Sequence, residues 1–123
     1  MRSGVVYAMT KAAMTQMGYN LACEWAKDNI RINTIAPWYI DTPLVQPVLK
    51  DPVALNQVLE VSSTIYCISS NIVYCIYYRT PMGRVGQPQE VSGLASFLCL
   101  DSAAFISGQV IAVDGGFLRN GFF

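Results

Sequence analysis

Apolar and polar positions change period several times along the chain, and each change marks an element. Residues 5–27 have a helical period, with Met14, Met17, Leu21 and Trp25 on one face and Asn20, Glu24, Lys27 and Asp28 on another. The first half of that stretch, with Ala8, Met9, Ala12, Ala13 and Met14, is apolar nearly all round. That predicts a helix buried on more than one side, by a sheet and by a second subunit or domain. Asp28-Asn29 ends it. The short β-branched run 30–36 then predicts a strand, stopped by Pro37. Asp51-Pro52 predicts the start of a helix over residues 51–60. Pro88-Gln89-Glu90 opens another, with Val91, Leu94, Ala95 and Leu98 as its apolar stripe. Asp101-Ser102 starts a short turn. Residues 109–114 predict a second buried strand, which Gly115-Gly116 ends in a tight turn. A helix followed after two turn residues by a strand is half of an α/β unit, so the fold class is α/β.

One segment breaks the pattern. Residues 61–78 contain no charge, proline or glycine, and are β-branched and aromatic. The run could be taken for a membrane span, but six of its residues are Ser, Thr or Asn, which argues against one. It has the signature of a strand-prone, aggregation-prone insertion.

Composition narrows the function classes. The chain has 123 residues, 53% hydrophobic and 13% charged, which suits one globular unit with a core. Eight basic and eight acidic residues balance to zero, so no basic stripe points to nucleic acid. There is no histidine, which removes Ser-His-Asp and Cys-His catalysis and any His-ligated metal. The four cysteines, Cys23, Cys67, Cys75 and Cys99, form no Cys-x-x-Cys pair, and no metal site is expected. Few cysteines and no signal peptide point to a reducing, cytoplasmic compartment.

The candidate chemistry lies near the start. Tyr7 and Lys11 are four apart, so on a helix their Cβ atoms are about 5–6 Å from one another. An ammonium that close favours phenolate over phenol and draws a tyrosine down from its usual pKa of ~10. Such a tyrosine can exchange a proton with a substrate oxygen near neutral pH. Taken alone, Tyr-x-x-x-Lys is weak evidence and reads more readily as a packed tyrosine beside a solvated lysine. The loop 37–43 leaves the carboxyl end of the first strand, the edge at which open parallel sheets bind ligands. Thr42 in that loop is also a good turn or helix cap.

Together these pieces resemble the carboxyl-terminal half of a short-chain dehydrogenase/reductase. Tyr7 and Lys11 match the family's Tyr-x-x-x-Lys. Arg31-Ile32-Asn33-Thr34-Ile35-Ala36-Pro37 resembles its strand and proline loop, and Arg84-x-Gly86-x-Pro88-x-Glu90-Val91 its late helix start. Ile106-Ser107-Gly108 through Val113-Asp114-Gly115-Gly116 resembles its last strand. Within the family the likeness is to plant tropinone reductases and their homologues, carried by Asn20-Leu21-Ala22-Cys23-Glu24-Trp25-Ala26, by Arg79-Thr80-Pro81-Met82-Gly83-Arg84 and by Asn120-Gly121-Phe122. It covers the chain except residues 61–78, which split a stretch continuous in those relatives and read either as an insertion or as unspliced sequence.

The resemblance implies the carboxyl-terminal part of a Rossmann-type doubly wound parallel sheet, so residues 1–123 form a partial domain interrupted at 61–78. It implies NADP-dependent reduction of a ketone, or the reverse oxidation of an alcohol, with NAD left open. Tyr7 would be the proton donor. Lys11 would lower its pKa and hold the nicotinamide ribose. Pro37, Ile40 through its backbone, and Thr42 would contact the nicotinamide end, and residues 43–60 would close over the substrate. A full-length relative would be a homo-oligomer, with neither nucleic acid nor membrane as a partner. Four departures stand against this. There is no G-x-x-x-G-x-G or G-x-G-x-x-G array, nor a serine far enough upstream of Tyr7 to match the family's catalytic serine, nor its relay asparagine. Trp38 stands where the family usually has glycine. The alternative is therefore a catalytically inactive piece, or an interaction module without the cofactor-binding half.

Overall fold

A computed structural model describes residues 5–50 and 77–119. They divide into two compact units. The first is Met1–Ala36 with Gly93–Ala112, the second Pro37–Ser92 with Val113–Phe123. The helix predicted at 51–60 and all of the 61–78 segment except Tyr77 and Tyr78 lie outside the described residues.

In the first unit, helix α1 spans Val5–Glu24. A 3-10 turn, Ala26–Asp28, follows, and Asn29 closes it in the left-handed region at φ 59, donating its N–H to the Ala26 carbonyl at 3.0 Å. Asparagine tolerates that conformation, so the 3-10 turn ends at Asp28-Asn29, while α1 itself stops at Glu24, short of the end expected near Lys27. The buried face differs from the expected one. Gly18 and Ala22 are buried and Thr15 and Leu21 half-buried, whereas Met14 and Met17 are 53% and 55% exposed. The reason is close approach. A Cβ on Gly18 would lie 2.8 Å from Thr34 Oγ1, and one on Gly108 would lie 3.5 Å from Ala22 Cβ. Only small side chains fit there, so the long methionines turn outward. The first half of α1 is likewise exposed among the described residues, not buried on several sides.

Strand β1 is Thr34–Pro37 and strand β2 is Val110–Val113, and they pair in a two-stranded sheet. Thr34 N–H donates to Gln109 O at 2.8 Å and Trp38 N–H to Val113 O at 3.0 Å. Both chains advance together, so the pair is parallel. β1 starts later than residue 30 because side chains hold the preceding stretch. Asn33 Nδ2 donates to Ile106 O at 2.8 Å while its Oδ1 accepts from Gln109 N at 3.1 Å. Arg31 donates to Leu98 O at 2.5 Å and to Ile106 O at 3.1 Å. β2 is not buried as predicted. Val110 and Ala112 are exposed and Ile111 and Val113 half-buried, because the described residues supply one neighbouring strand and cover one face only in part. Helix α3, Pro88–Leu98, carries the predicted stripe, with Leu98 buried and Val91, Leu94 and Ala95 half-buried. The 3-10 turn Asp101–Ala103 inserts a fully buried Ala103.

In the second unit, a short helix α2, Gln46–Leu49, was not signalled by periodicity; four residues are too few to show one. It grows from a turn in which Thr42 O accepts from Val45 N at 2.9 Å and Gln46 N at 3.0 Å. Beyond β2, Asp114 holds the next turn with both carboxylate oxygens. Oδ1 accepts from Gly116 N at 2.9 Å and Oδ2 from Leu118 N at 3.0 Å. Gly115 and Gly116 have φ 59 and 90. A Cβ on Gly115 would also meet Thr80 Cγ2 at 2.8 Å.

Gly115 and Gly83 separate two costs. Both have positive φ, but a Cβ on Gly83 has nothing within 4 Å. Gly83→Ala should destabilise by about 1 kcal/mol, from backbone conformation alone. Gly115→Ala should cost about 2–4 kcal/mol, since crowding adds to it. Denaturant unfolding of the two variants measures the difference, and equal losses would contradict the packing seen at Thr80.

Candidate functional site

Tyr7 and Lys11 stand on α1 as their spacing requires. At 3.6 residues per turn, Tyr7, Lys11, Gly18 and Ala22 fall within about 60° of one another around the axis. The candidate pair therefore continues the stripe that packs at Gly18 and Ala22. Lys11 Nζ lies 5.5 Å from the Tyr7 ring centroid, over the ring. Tyr7 is 68% exposed among the described residues. Thr10 Oγ1 donates to Tyr7 O at 2.8 Å, tying the backbone of this turn.

The other three predicted positions leave the end of β1. Pro37 is the last strand residue and exposed. Ile40 forms an isolated parallel bridge with Gly86: Gly86 N donates to Tyr39 O at 2.9 Å and Asp41 N to Gly86 O at 2.8 Å. In such a bridge the flanking residues bond the neighbour, so Ile40's own N–H and C=O face the opposite edge. Among the described residues that leaves one backbone donor and one acceptor side by side, the pair a primary carboxamide needs. Thr42 is half-buried and its backbone carbonyl starts the turn into α2, but α2 is capped at Val45 without a side-chain hydrogen bond, so Thr42 is not the helix cap that its residue type suggests.

Trp38 stabilises the same loop. Its indole stacks on Phe117, centroids 3.7 Å apart and planes 15° from parallel, with Tyr39 edge-on at 5.0 Å. The Arg79 guanidinium lies 5.3 Å from the Phe117 centroid. Among the described residues, Trp38 Nε1 is buried without a hydrogen-bond partner. A tryptophan where the family usually has glycine is thus absorbed by an aromatic partner from the turn after β2.

A support for Ile40 went unnoticed in the sequence. Glu90 Oε1 and Oε2 accept from Arg84 Nη2 and Nη1 at 2.7 and 2.8 Å, and Oε2 also accepts from Gln87 N at 2.7 Å. The reach back from Glu90 to Gln87 is half of a capping box, and Pro88 fills the first helical position. Between Arg84 and Gln87 sits Gly86, where a Cβ would lie 2.7 Å from Ile40 Cδ1. The signal was the Arg84-x-Gly86-x-Pro88-x-Glu90 string itself, which marks a helix start but does not tell what the start leans on. The Arg84 hydrogen bonds, then the Gln87 N–H, hold the Glu90 carboxyl at about 2, well below its usual 4.5; Arg84 is correspondingly raised.

Among the described residues no His, Cys, Asp or Glu group could hold a metal ion, and no helix is long and apolar enough to cross a membrane. A cavity in the first unit is lined by Arg31, Asn33, Ile35, Ala95, Leu98 and Cys99, none of them a predicted site residue.

Residues 1–118 match the family model described as Enoyl-(Acyl carrier protein) reductase. A tropinone reductase homolog of Arabidopsis thaliana is 48% identical over 98% of this chain, and a chloroplastic homolog of the same plant 46% identical over 96%. The chain spans 31–40% of the length of the curated relatives it matches. Among solved structures, a gluconate 5-dehydrogenase from Burkholderia cenocepacia, in complex with NADP and tartrate, superposes with a TM-score of 0.72 at 30% identity, covering 92% of this chain and 37% of that one. A 7α-hydroxysteroid dehydrogenase, complexed with NADH and 7-oxo glycochenodeoxycholic acid, gives 0.70 at 31%, again over 92% and 37%. The α/β fold with a parallel sheet is therefore that of part of a Rossmann-type domain.

The Glu90 pair makes a pH prediction. Its carboxyl titrates lower in the folded chain than the usual 4.5, so the stabilisation is complete above that value. It is lost as pH falls toward about 2. Glu90→Gln should lower Tm at neutral pH, and the gap to wild type should close on acidification through that window. A gap that is constant with pH would mean the ionised carboxylate contributes nothing specific.

Proposed function

The chain belongs to the short-chain dehydrogenase/reductase family, and on that premise we propose that the protein carrying it is an NADP-dependent carbonyl reductase of the tropinone-reductase-like kind. The observation that supports this best is the Lys11 ammonium 5.5 Å from the ring of an exposed Tyr7, on the stripe that α1 packs by. When bound, the nicotinamide supplies the hydride. Tyr7 Oη gives its proton to the carbonyl oxygen of a small ketone as charge develops there, and the positive charge of Lys11 stabilises the tyrosinate left behind. In alcohol oxidation the proton runs the other way. Lys11 also holds the ribose hydroxyls. The N–H and C=O of Ile40 fit a carboxamide, with Pro37 and Thr42 bounding that end. NADP over NAD rests on likeness to the plant relatives. A second copy of the chain is the partner proposed for the outward apolar residues of α1, and the cytoplasm is the proposed setting for the exposed thiols of Cys23 and Cys99.

A second reading has its own support. The 123 residues contain no Gly-rich helix start to take a pyrophosphate, and the chain spans only 31–40% of its curated relatives. On that reading this stretch is an inactive piece until such an element is supplied.

Two measurements test these readings. In the native polypeptide that carries residues 1–123, Tyr7→Phe should lower ketone turnover by about 10²–10⁴-fold, because it removes only the proton donor. Lys11→Ala should weaken NADPH binding as well as slow turnover; less than a tenfold loss in Tyr7→Phe would remove Tyr7 from its role. Residues 1–123 expressed alone should show no saturable NADPH binding by fluorescence and no turnover of cyclic ketones. Micromolar binding with Tyr7-dependent turnover would overturn the inactive-piece reading.

A further inference from the structure

Glu90 is bound to both sides of one glycine. Its carboxylate takes two hydrogen bonds from Arg84, two residues before Gly86, and one from the Gln87 N–H immediately after it. The loop is thereby closed into a ring through a side chain, with Gly86 at its centre. Gly86 presents its N–H to Tyr39 O and its C=O to Asp41 N, at 2.9 and 2.8 Å. Those bonds set the rotation of the peptides on both sides of Ile40. A Cβ at position 86 would lie 2.7 Å from Ile40 Cδ1, so a side chain there would displace the Ile40 side chain. Arg84 adds a bond to Val85 O at 3.1 Å, so each residue from Arg84 to Gln87 is held.

We propose that Arg84, Gly86 and Glu90 are positioning residues for the nicotinamide end of the cofactor, acting through the backbone of Ile40. This rests on the reading of Ile40 given above. None of the three touches the cofactor. They fix the direction in which Ile40 offers its donor and acceptor, and a backbone pair free to rotate cannot hold a carboxamide in one orientation. The pair Arg84–Glu90 is exposed, at 48% and 41%, where an ion pair adds only modestly to global stability, so variants that lose it remain folded and its effect on the loop can be read.

The test uses two ligands on the native polypeptide: NADPH, and adenosine 2′,5′-bisphosphate, which lacks the nicotinamide end. Glu90→Gln, Arg84→Met and Gly86→Ala should each weaken NADPH by about tenfold, the loss of one to two hydrogen bonds, and leave the bisphosphate within twofold. Arg84→Lys should recover part of the loss. Circular dichroism confirms that each variant is folded, and Glu90→Gln, the mildest change, stands if Gly86→Ala does not fold. Equal weakening of both ligands, or NADPH affinity unchanged in folded variants, overturns the positioning role while leaving the carbonyl-reductase reading intact. A wild-type protein that binds the two ligands equally well, or neither, overturns that reading and this inference together.

Discussion

The first unit depends on two polar side chains just ahead of β1. Asn33 acts as a surrogate strand residue, donating to Ile106 O and accepting from Gln109 N. Arg31 spans from Leu98 O at the end of α3 to Ile106 O. A parallel pair has no hairpin to bring its strands together, so something else must set the register. Here it is set before the ladder begins, with Gly108 N donating to Ile32 O at 2.7 Å and Thr34 N to Gln109 O at 2.8 Å. Carbonyls at a helix end and in the approach to a strand lack regular partners, and charged or amide donors satisfy them.

In the second unit, carboxylates do the corresponding work at two turns. Glu90 closes the Arg84–Gln87 stretch and Asp114 closes the turn through Gly116 and Leu118. Glu90 binds one backbone N–H and Asp114 two that the turn leaves without partners, and each lies beside a glycine whose Cβ would come within 2.8 Å of a neighbouring side chain. The glycines allow close approach, and the carboxylates remove the freedom that glycine would otherwise bring. Trp38 then packs its indole on Phe117 of the Asp114 turn. The loop carrying Ile40 is thus bounded by a polar clamp at Gly86 and an aromatic stack at Phe117.

Tyr7 and Lys11 depend on a different constraint. Their mutual placement is intrahelical, with no need of any distant contact. What packing adds is the direction they face. Gly18 and Ala22 admit Thr34 and Gly108 closely, and the helical repeat carries that face back to Lys11 and Tyr7. The outward Met14 and Met17 are the other result of the same rule.

Much of this was legible in the sequence. Local chemistry determined α1, the close of the turn after it at Asn29, the start of α3 at Pro88, the turn at Gly115-Gly116, and the Tyr7–Lys11 spacing, since each rests on residues within one or two turns of chain. The family resemblance followed from four such motifs in order. Tertiary structure alone decided which face of α1 is inward, because that turns on how near Thr34 and Gly108 come, a distance no periodicity contains. It decided that β1 begins at Thr34 and not at residue 30, because Arg31 and Asn33 bond partners more than sixty residues away. It decided that Arg84 and Glu90 support Ile40, because the string marking a helix start says nothing of the strand segment beside it. Interactions short in sequence can be read from residue type; those that join distant segments exist only once the backbone has brought donors and acceptors within hydrogen-bonding distance.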